Sequence, residues 1–219
     1  RTVISAAGNV DHDKFVEMIL ESHFGNSQTR STLNLSTPLP NVDALTVVNG
    51  RGLQQAHICL GARTFGYSDR RRYALALLDI IFGGGMGSRL FQNIREKYGF
   101  AYSVFSFSDL MSETGVFGAY IGCDKEKIDD SIRLLENELE KMKNGDISDV
   151  EVQQAKSQLR GNLIIGLESS SRRMKKNGET EIFGREHQSL SEIVDVVNSV
   201  SKDDVEKLVQ ELFTLTNTS

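Results

Sequence analysis

Gly83-Gly84-Gly85-Met86-Gly87-Ser88-Arg89-Leu90-Phe91-Gln92-Asn93-Ile94-Arg95-Glu96-Lys97-Tyr98-Gly99-Phe100-Ala101-Tyr102-Ser103-Val104 is the stretch that decides how this chain is read. A glycine-rich turn leaves an apolar helix, a second helix over 88–98 carries two arginines, and a strand then opens around Tyr102. Upstream, residues 73–82 are apolar on nearly all sides apart from Asp79, which suits a helix covered by layers on both sides. Downstream, residues 101–108 and 115–123 read as strands separated by Ser112-Glu113-Thr114. Residues 44–48 and 55–62 read as a further pair joined by the turn-rich Asn49-Gly50-Arg51-Gly52.

The second half is helical. Ile128, Ile132, Leu135, Leu139 and Met142 repeat at spacings of four and three, giving one apolar stripe. Ser148-x-x-Glu151 is a capping box that opens another helix, with Val152, Ala155, Leu159 and Leu163 on its inner face. Two shorter helices, around 193–200 and 205–213, follow. Strands first and helices after predict an α+β domain, a mostly antiparallel sheet covered by helices on one face. At the other end, residues 2–7 read as a short apolar strand stopped by Gly8-Asn9. Asp11 is placed to cap a helix bearing Phe15, Val16, Ile19, Leu20 and Phe24. Residues 25–41 hold both prolines and read as a linker, dividing the chain into 1–24, 25–41 and 42–219.

Composition sets the outer limits. At 219 residues, 39% hydrophobic and 25% charged, the chain can bury a sizeable core. A net charge of −5 argues against nucleic acid, whose phosphates need a cationic surface. No run of eighteen apolar residues exists to span a membrane, so a soluble protein is expected, with the cytoplasm favoured. The chain opens on Arg1 inside an apolar segment, which reads as an excised fragment. Cys59 and Cys123 both fall in predicted strands and read as buried free thiols.

Taken in order and spacing, the motifs resemble those of the M16 zinc peptidases, the pitrilysin and mitochondrial processing peptidase family. Residues 3–24 resemble the end of that family's first domain. Residues from about 42 onward resemble its second, non-zinc-binding domain, through Gln55-Ala56-His57, the 83–89 turn, the 95–102 run, and Leu167-Glu168-Ser169 before Arg173-Met174. The resemblance implies the LuxS/MPP-like metallohydrolase fold. It also implies a peptide or unfolded polypeptide as substrate, clamped together with an N-terminal domain or partner subunit. In the family the zinc ligands and the catalytic glutamate lie in an H-x-x-E-H helix of the first domain. No such motif occurs here. His12, His23, His57 and His187 have no second histidine at ligand spacing, and Phe183-Gly184-Arg185-Glu186-His187 has phenylalanine where the first ligand belongs. Zinc is therefore expected in the parent protein only, with no metal and no peptidase activity in this chain alone.

What transfers residue by residue is the second domain's contribution. Arg95 and Tyr102 match an arginine–tyrosine pair seven positions apart, which implies that Arg95 binds substrate and Tyr102 meets the scissile carbonyl. An aimed phenol can stabilise the oxyanion formed there, and a guanidinium fork suits peptide carbonyls or a carboxylate. Arg89 is a second candidate, on the substrate side or between domains. The glycine turn follows a helix and lacks Gly-Lys-Ser/Thr, so a phosphate loop is set aside; the glycines are expected to let two helices meet. His57 reads as a core or cleft-wall histidine. Arg70-Arg71-Arg72 reads as a solvated face and the 172–176 basic cluster as a solvated helix end. Asp79 and Glu168 are assigned no role.

Two rival readings stand beside the peptidase: a non-catalytic M16-like scaffold or regulatory subunit, and a plain peptide-binding module. One structural expectation follows from the ends of the chain. Residues 2–24 are expected to fold back beside the sheet of 44–123, in cis or by exchange in a homodimer.

Overall fold

The computed structural model describes residues 2–25, 45–50 and 52–213. The predicted linker lies outside the described residues except for Gly25. The chain runs α1 (His12–Glu21), β1 (Gln55–Phe65), α2 (Arg72–Phe82), a π-helical segment (Phe91–Glu96), β2 (Ala101–Leu110) and β3 (Thr114–Asp124). A short 3-10 turn then leads into α3 (Ile128–Lys143), α4 (Asp149–Glu168), α5 (Ser170–Ile182), α6 (Leu190–Ser199) and α7 (Lys202–Leu212).

The sheet is antiparallel in the order β1-β3-β2, so β3 is central. Its sequence alternates as a half-covered strand should: Phe117, Ala119, Ile121 and Cys123 are fully buried, whereas Gly118, Tyr120 and Gly122 point to the other face. α2, α3 and α7 pack against the sheet, and Phe117 meets Phe82 at 6.1 Å and Phe213 at 5.9 Å between ring centres. Leu75, Leu77, Leu78 and Phe82 of α2 are all within 1% of complete burial, so this helix is the middle of the core. Each such side chain contributes on the order of 2 kcal/mol in transfer free energy. α4 covers the outer side of α2 and is flanked by α5 and α6. The capping box at Ser148 and Glu151 opens α4 as the sequence predicts, and similar boxes open α6 and α7.

The glycine turn works by close approach. A Cβ on Gly83 would lie 2.1 Å from the backbone nitrogen of Ser106, so glycine lets the end of α2 touch β2. The turn thus fits a helix against a strand rather than against a second helix. Gly85, at φ +150°, supplies the one turn conformation here that other residues rarely adopt.

Three local expectations are corrected. Residues 45–48 form no strand; Leu45, Val47 and Val48 are 69–90% exposed, and no neighbouring ladder holds them. Residues 2–7 are extended but pair with no strand of the sheet. Instead Ser5 Oγ donates 2.8 Å to the Met174 carbonyl, and residues 3–7 with α1 and α5 enclose a cavity of about 570 Å³. The N-terminal segment therefore packs on α5, not on the sheet edge, held by the Ser5–Met174 bond and seated where Gly178 leaves room for the Ser5 side chain. Cys59, expected to be buried, is exposed on β1, since odd-numbered β1 positions face away from the helices.

Candidate functional site

The chemistry-bearing residues of the 83–104 stretch fall at the end of the sheet where β1 begins, β2 begins and β3 ends. Between α2 and β2 the chain winds partly as a π-helix, with the Lys97 amide donating to the Gln92 carbonyl five residues back at 3.1 Å. Such wider turns recur at functional sites because they push side chains out of α-helical register. Leu90 and Ile94 anchor the segment in the core, fully buried, and leave Arg95 on the exposed side over the Phe91 ring at 5.0 Å. Arg95 has no carboxylate partner among the described residues, so its fork is open to a ligand.

Tyr102 owes its direction to a β-bulge. The ladder passes from Ala101 opposite Cys123 to Ser103 opposite Gly122, and Tyr102 is the extra residue with no partner. A bulge re-aims the side chain it carries. The phenol is 56% exposed and donates to the Asp124 carboxylate, at 3.1 and 3.2 Å to its two oxygens. That hydrogen bond, and then the negative charge of Asp124, hold the Tyr102 phenol above its ordinary value of 10.0. The group therefore stays an O–H donor through the neutral range.

Arg89 is differently placed. Its guanidinium is 12% exposed and grips Glu151 by two bonds, Nε to Oε1 at 2.6 Å and Nη2 to Oε2 at 2.9 Å. It also donates to the Asp146 carbonyl. Glu151 simultaneously closes the capping box on Ser148. Burial works against the Glu151 charge, but the bonds from Arg89 and Ser148 outweigh it and pull the carboxyl below its ordinary range. Arg89 thus pins the start of α4 to the glycine turn, and no donor set is left facing solvent. Asp79, in α2, receives the Ser106 hydroxyl at 2.5 Å; burial raises its carboxyl above the usual range, and the Ser106 bond only partly offsets this.

The open sheet face carries an aromatic row. His57 Nδ1 lies 2.6 Å from the Tyr120 hydroxyl, and Phe105 stacks on Tyr120 at 4.8 Å. His187 pairs with Glu181 at 2.8 Å. These histidines are each committed to a single neighbour, α2 contains none, and among the described residues no three His, Cys, Asp or Glu side chains converge to hold a metal. The donors among the described residues do not fit zinc. No helix among the described residues is long and apolar enough to cross a membrane.

Asp124 is the functional candidate that the sequence reading missed. Only the strand register brings it beside a tyrosine 22 residues earlier; the Ser112-Glu113 turn between two strands was the available signal. The reading of Arg70-Arg71-Arg72 as a solvated face holds for the exposed Arg70 and Arg71 but not for the half-buried Arg72. Arg71 is clasped by Asp69 at 2.8 Å and Glu211 at 2.6 Å, and Arg72 packs among tyrosines. In the basic cluster of α5, Arg173 Nε donates to the Leu167 carbonyl and Lys176 Nζ to that of Gln188 at 3.2 Å, tying the helix to its surroundings.

The described residues form an α+β domain with a helix-covered antiparallel sheet, and among them no His, Cys, Asp or Glu cluster could hold a metal. The chain belongs to the peptidase M16 family, and residues 1–159 match its inactive domain. It is 36% identical over 216 residues to an uncharacterized zinc protease of Mycobacterium tuberculosis, covering 97% of this chain and 49% of that protein. An uncharacterized zinc protease of Bacillus subtilis is 33% identical over 215 residues, covering 98% and 52%. The chain thus spans about half the length of the curated relatives it matches. Among solved structures, a protease from Helicobacter pylori superposes with a TM-score of 0.84 at 23% identity, covering 97% and 52%. A chain of complex III from Candida albicans gives 0.79 at 22%, covering 96% and 52%. These two likenesses concern the fold.

Proposed function

We propose that this chain is the C-terminal half of an M16-like zinc endopeptidase, and that it supplies substrate-clamping and oxyanion-stabilising groups to a zinc site carried by a separate N-terminal domain. What supports this reading is a phenol that a β-bulge re-aims and Asp124 keeps protonated, in the same stretch of chain as an exposed Arg95 with no carboxylate partner among the described residues. A bidentate cation holds a peptide by its carbonyls or a carboxylate. A phenol O–H donates to the scissile carbonyl oxygen as it gains negative charge. For that the Tyr102 hydrogen must leave Asp124 for the substrate, so the carboxylate serves as its resting partner. Arg89, enclosed by Glu151, acts here as a positioning residue rather than a direct substrate contact.

The rival reading, a non-catalytic scaffold, draws on the fold shared with the complex III chain. A scaffold has no use for two exposed donors of this kind, which favours the peptidase. In the intact protein, assayed with a peptide substrate, Arg95→Ala is expected to raise KM about tenfold or more with a smaller change in kcat, the signature of lost binding. Unchanged KM would remove Arg95 from the substrate site.

A further inference from the structure

At the opposite end of the sheet, the β1–α2 connection meets the α5–α6 connection in a cleft of about 890 Å³. β1 is eleven residues long, so this cleft is about 33 Å along the strand from Tyr102. Two of the guanidiniums that line it share one ring: Arg72 lies 4.8 Å and Arg185 5.0 Å from the centre of Tyr67. Phe183 stacks on that ring at 4.4 Å. The two cations are therefore held within about 10 Å of each other, at a spacing where like charges in a half-buried site repel appreciably.

Neither cation is neutralised. Arg72 donates only to neutral acceptors: the Tyr67 carbonyl at 3.2 Å, the Tyr73 hydroxyl at 2.7 Å and Gln188 Oε1 at 3.3 Å. Arg185 makes a single long contact, Nε to Ser68 Oγ at 3.4 Å. Burial first, and then the charge of Arg72, push the Arg185 guanidinium below its ordinary value, and no carboxylate opposes that. Arg70 and Lys207 add to the positive lining. Of the acidic residues there, Glu211 is paired with Arg71, Asp204 carries the cap on Ser201 and feels the charge of Lys207, and Glu186 is the third; none of them is bonded to Arg72 or Arg185. The far wall is apolar, with Ala74, Val196, Val200 and Leu208.

Holding two uncompensated guanidiniums on one aromatic ring costs stability unless something answers their charge. We propose that this cleft binds a small oxyanion of charge −2, a phosphate monoester or a dicarboxylate, with an apolar body lying toward Val196 and Val200. The oxyanion takes the free N–H donors of Arg185 and the charge of Arg72, for which the planar guanidinium fork is suited. The volume is that of a small-ligand site. Because the cleft is remote from Tyr102, its occupant is a ligand other than the cleaved peptide, and the inference stands whether or not this half serves a peptidase.

The test is calorimetric titration of the full chain with phenyl phosphate, inorganic phosphate and succinate, at fixed ionic strength. Binding by either phosphate or by succinate is expected and identifies the source of the dianion; phenyl phosphate should bind more tightly than inorganic phosphate if the apolar wall takes part. Arg185→Gln should weaken binding at least tenfold and Arg185→Lys less, with circular dichroism and melting confirming that both remain folded. An Arg133→Gln control, on the exposed side of α3, should bind as wild type does. No heat of binding from folded wild type with any of the three at up to about 10 mM, or an affinity unchanged in folded Arg185→Gln, overturns the proposal.

Discussion

The Arg89–Glu151 clamp gives the most direct mechanical prediction. Replacing Arg89 by Met keeps the stem and removes the guanidinium. The loss comprises a bidentate grip on Glu151 and a bond to the Asp146 carbonyl, from a side chain only 12% exposed. Breaking one side of a fully buried pair costs about 3–5 kcal/mol. Glu151 is 28% exposed and keeps its bonds to Ser148, so solvent recovers part of this. The expected cost is therefore about 2–3 kcal/mol. In urea unfolding, with m of about 2 kcal/mol/M, the midpoint should fall by about 1–1.5 M. A double-mutant cycle with Glu151→Gln, which can still close the cap on Ser148, should return a coupling of at least about 1 kcal/mol. The pH dependence has a defined sign. Glu151 is held below its ordinary value of 4.5 in the folded chain, so its contribution is present above that pH and disappears as pH falls through the lowered value. Wild type should thus lose its advantage over Arg89→Met in acid below about pH 4.5. A cycle with no coupling, or an advantage that grows in acid, would show that the clamp does not hold α4 to the glycine turn.

Other consequences are quicker to check. Gly83→Ala forces a methyl to within 2.1 Å of the Ser106 backbone nitrogen and should lower stability by more than about 3 kcal/mol, seen as insoluble expression or a large drop in melting temperature. Leu77→Ala empties a site at 0% exposure between sheet and α4 and should cost about 3–4 kcal/mol in denaturant titration. Asp124→Asn removes the charge that raises the Tyr102 phenol, so its titration, followed by NMR of labelled tyrosine, should move down toward 10.0; an upward or absent shift would mean that the pair does not form.

How much of this could be seen in the sequence depends on the range of the interaction involved. Periodicities of 3.6 and 2 report burial of one face, and they locate α2, α3, α4, β2 and β3 because those faces meet the same core. The capping boxes are legible because both partners lie within four residues. Residues 45–48 alternate like a strand, yet a strand needs a neighbour, and sequence does not say whether one is there. The π-helical turn at 91–96 is invisible because its composition is that of an ordinary helix. Arg95 and Tyr102 are candidates that the family resemblance supplies, while the pairings of Asp124 and Glu151 span 22 and 62 residues and emerge only once strands and helices are placed. In the triple arginine the exposure of Arg70 and Arg71 was legible, but the partners of Arg71 and the half-buried place of Arg72 appear only once Asp69, Glu211 and the tyrosine rings are brought to them.

The central claim is that Tyr102 acts on the reacting carbonyl, and kcat of Tyr102→Phe in the intact two-domain protein tests it most directly. The substitution removes one oxygen at the solvent-exposed bulge and leaves the fold unchanged. If the phenol stabilises the oxyanion, kcat should fall about a hundredfold, equivalent to about 3 kcal/mol, with KM nearly unchanged. Wild-type kcat in the folded variant would contradict the account and leave this half of the molecule as a structural or binding partner only.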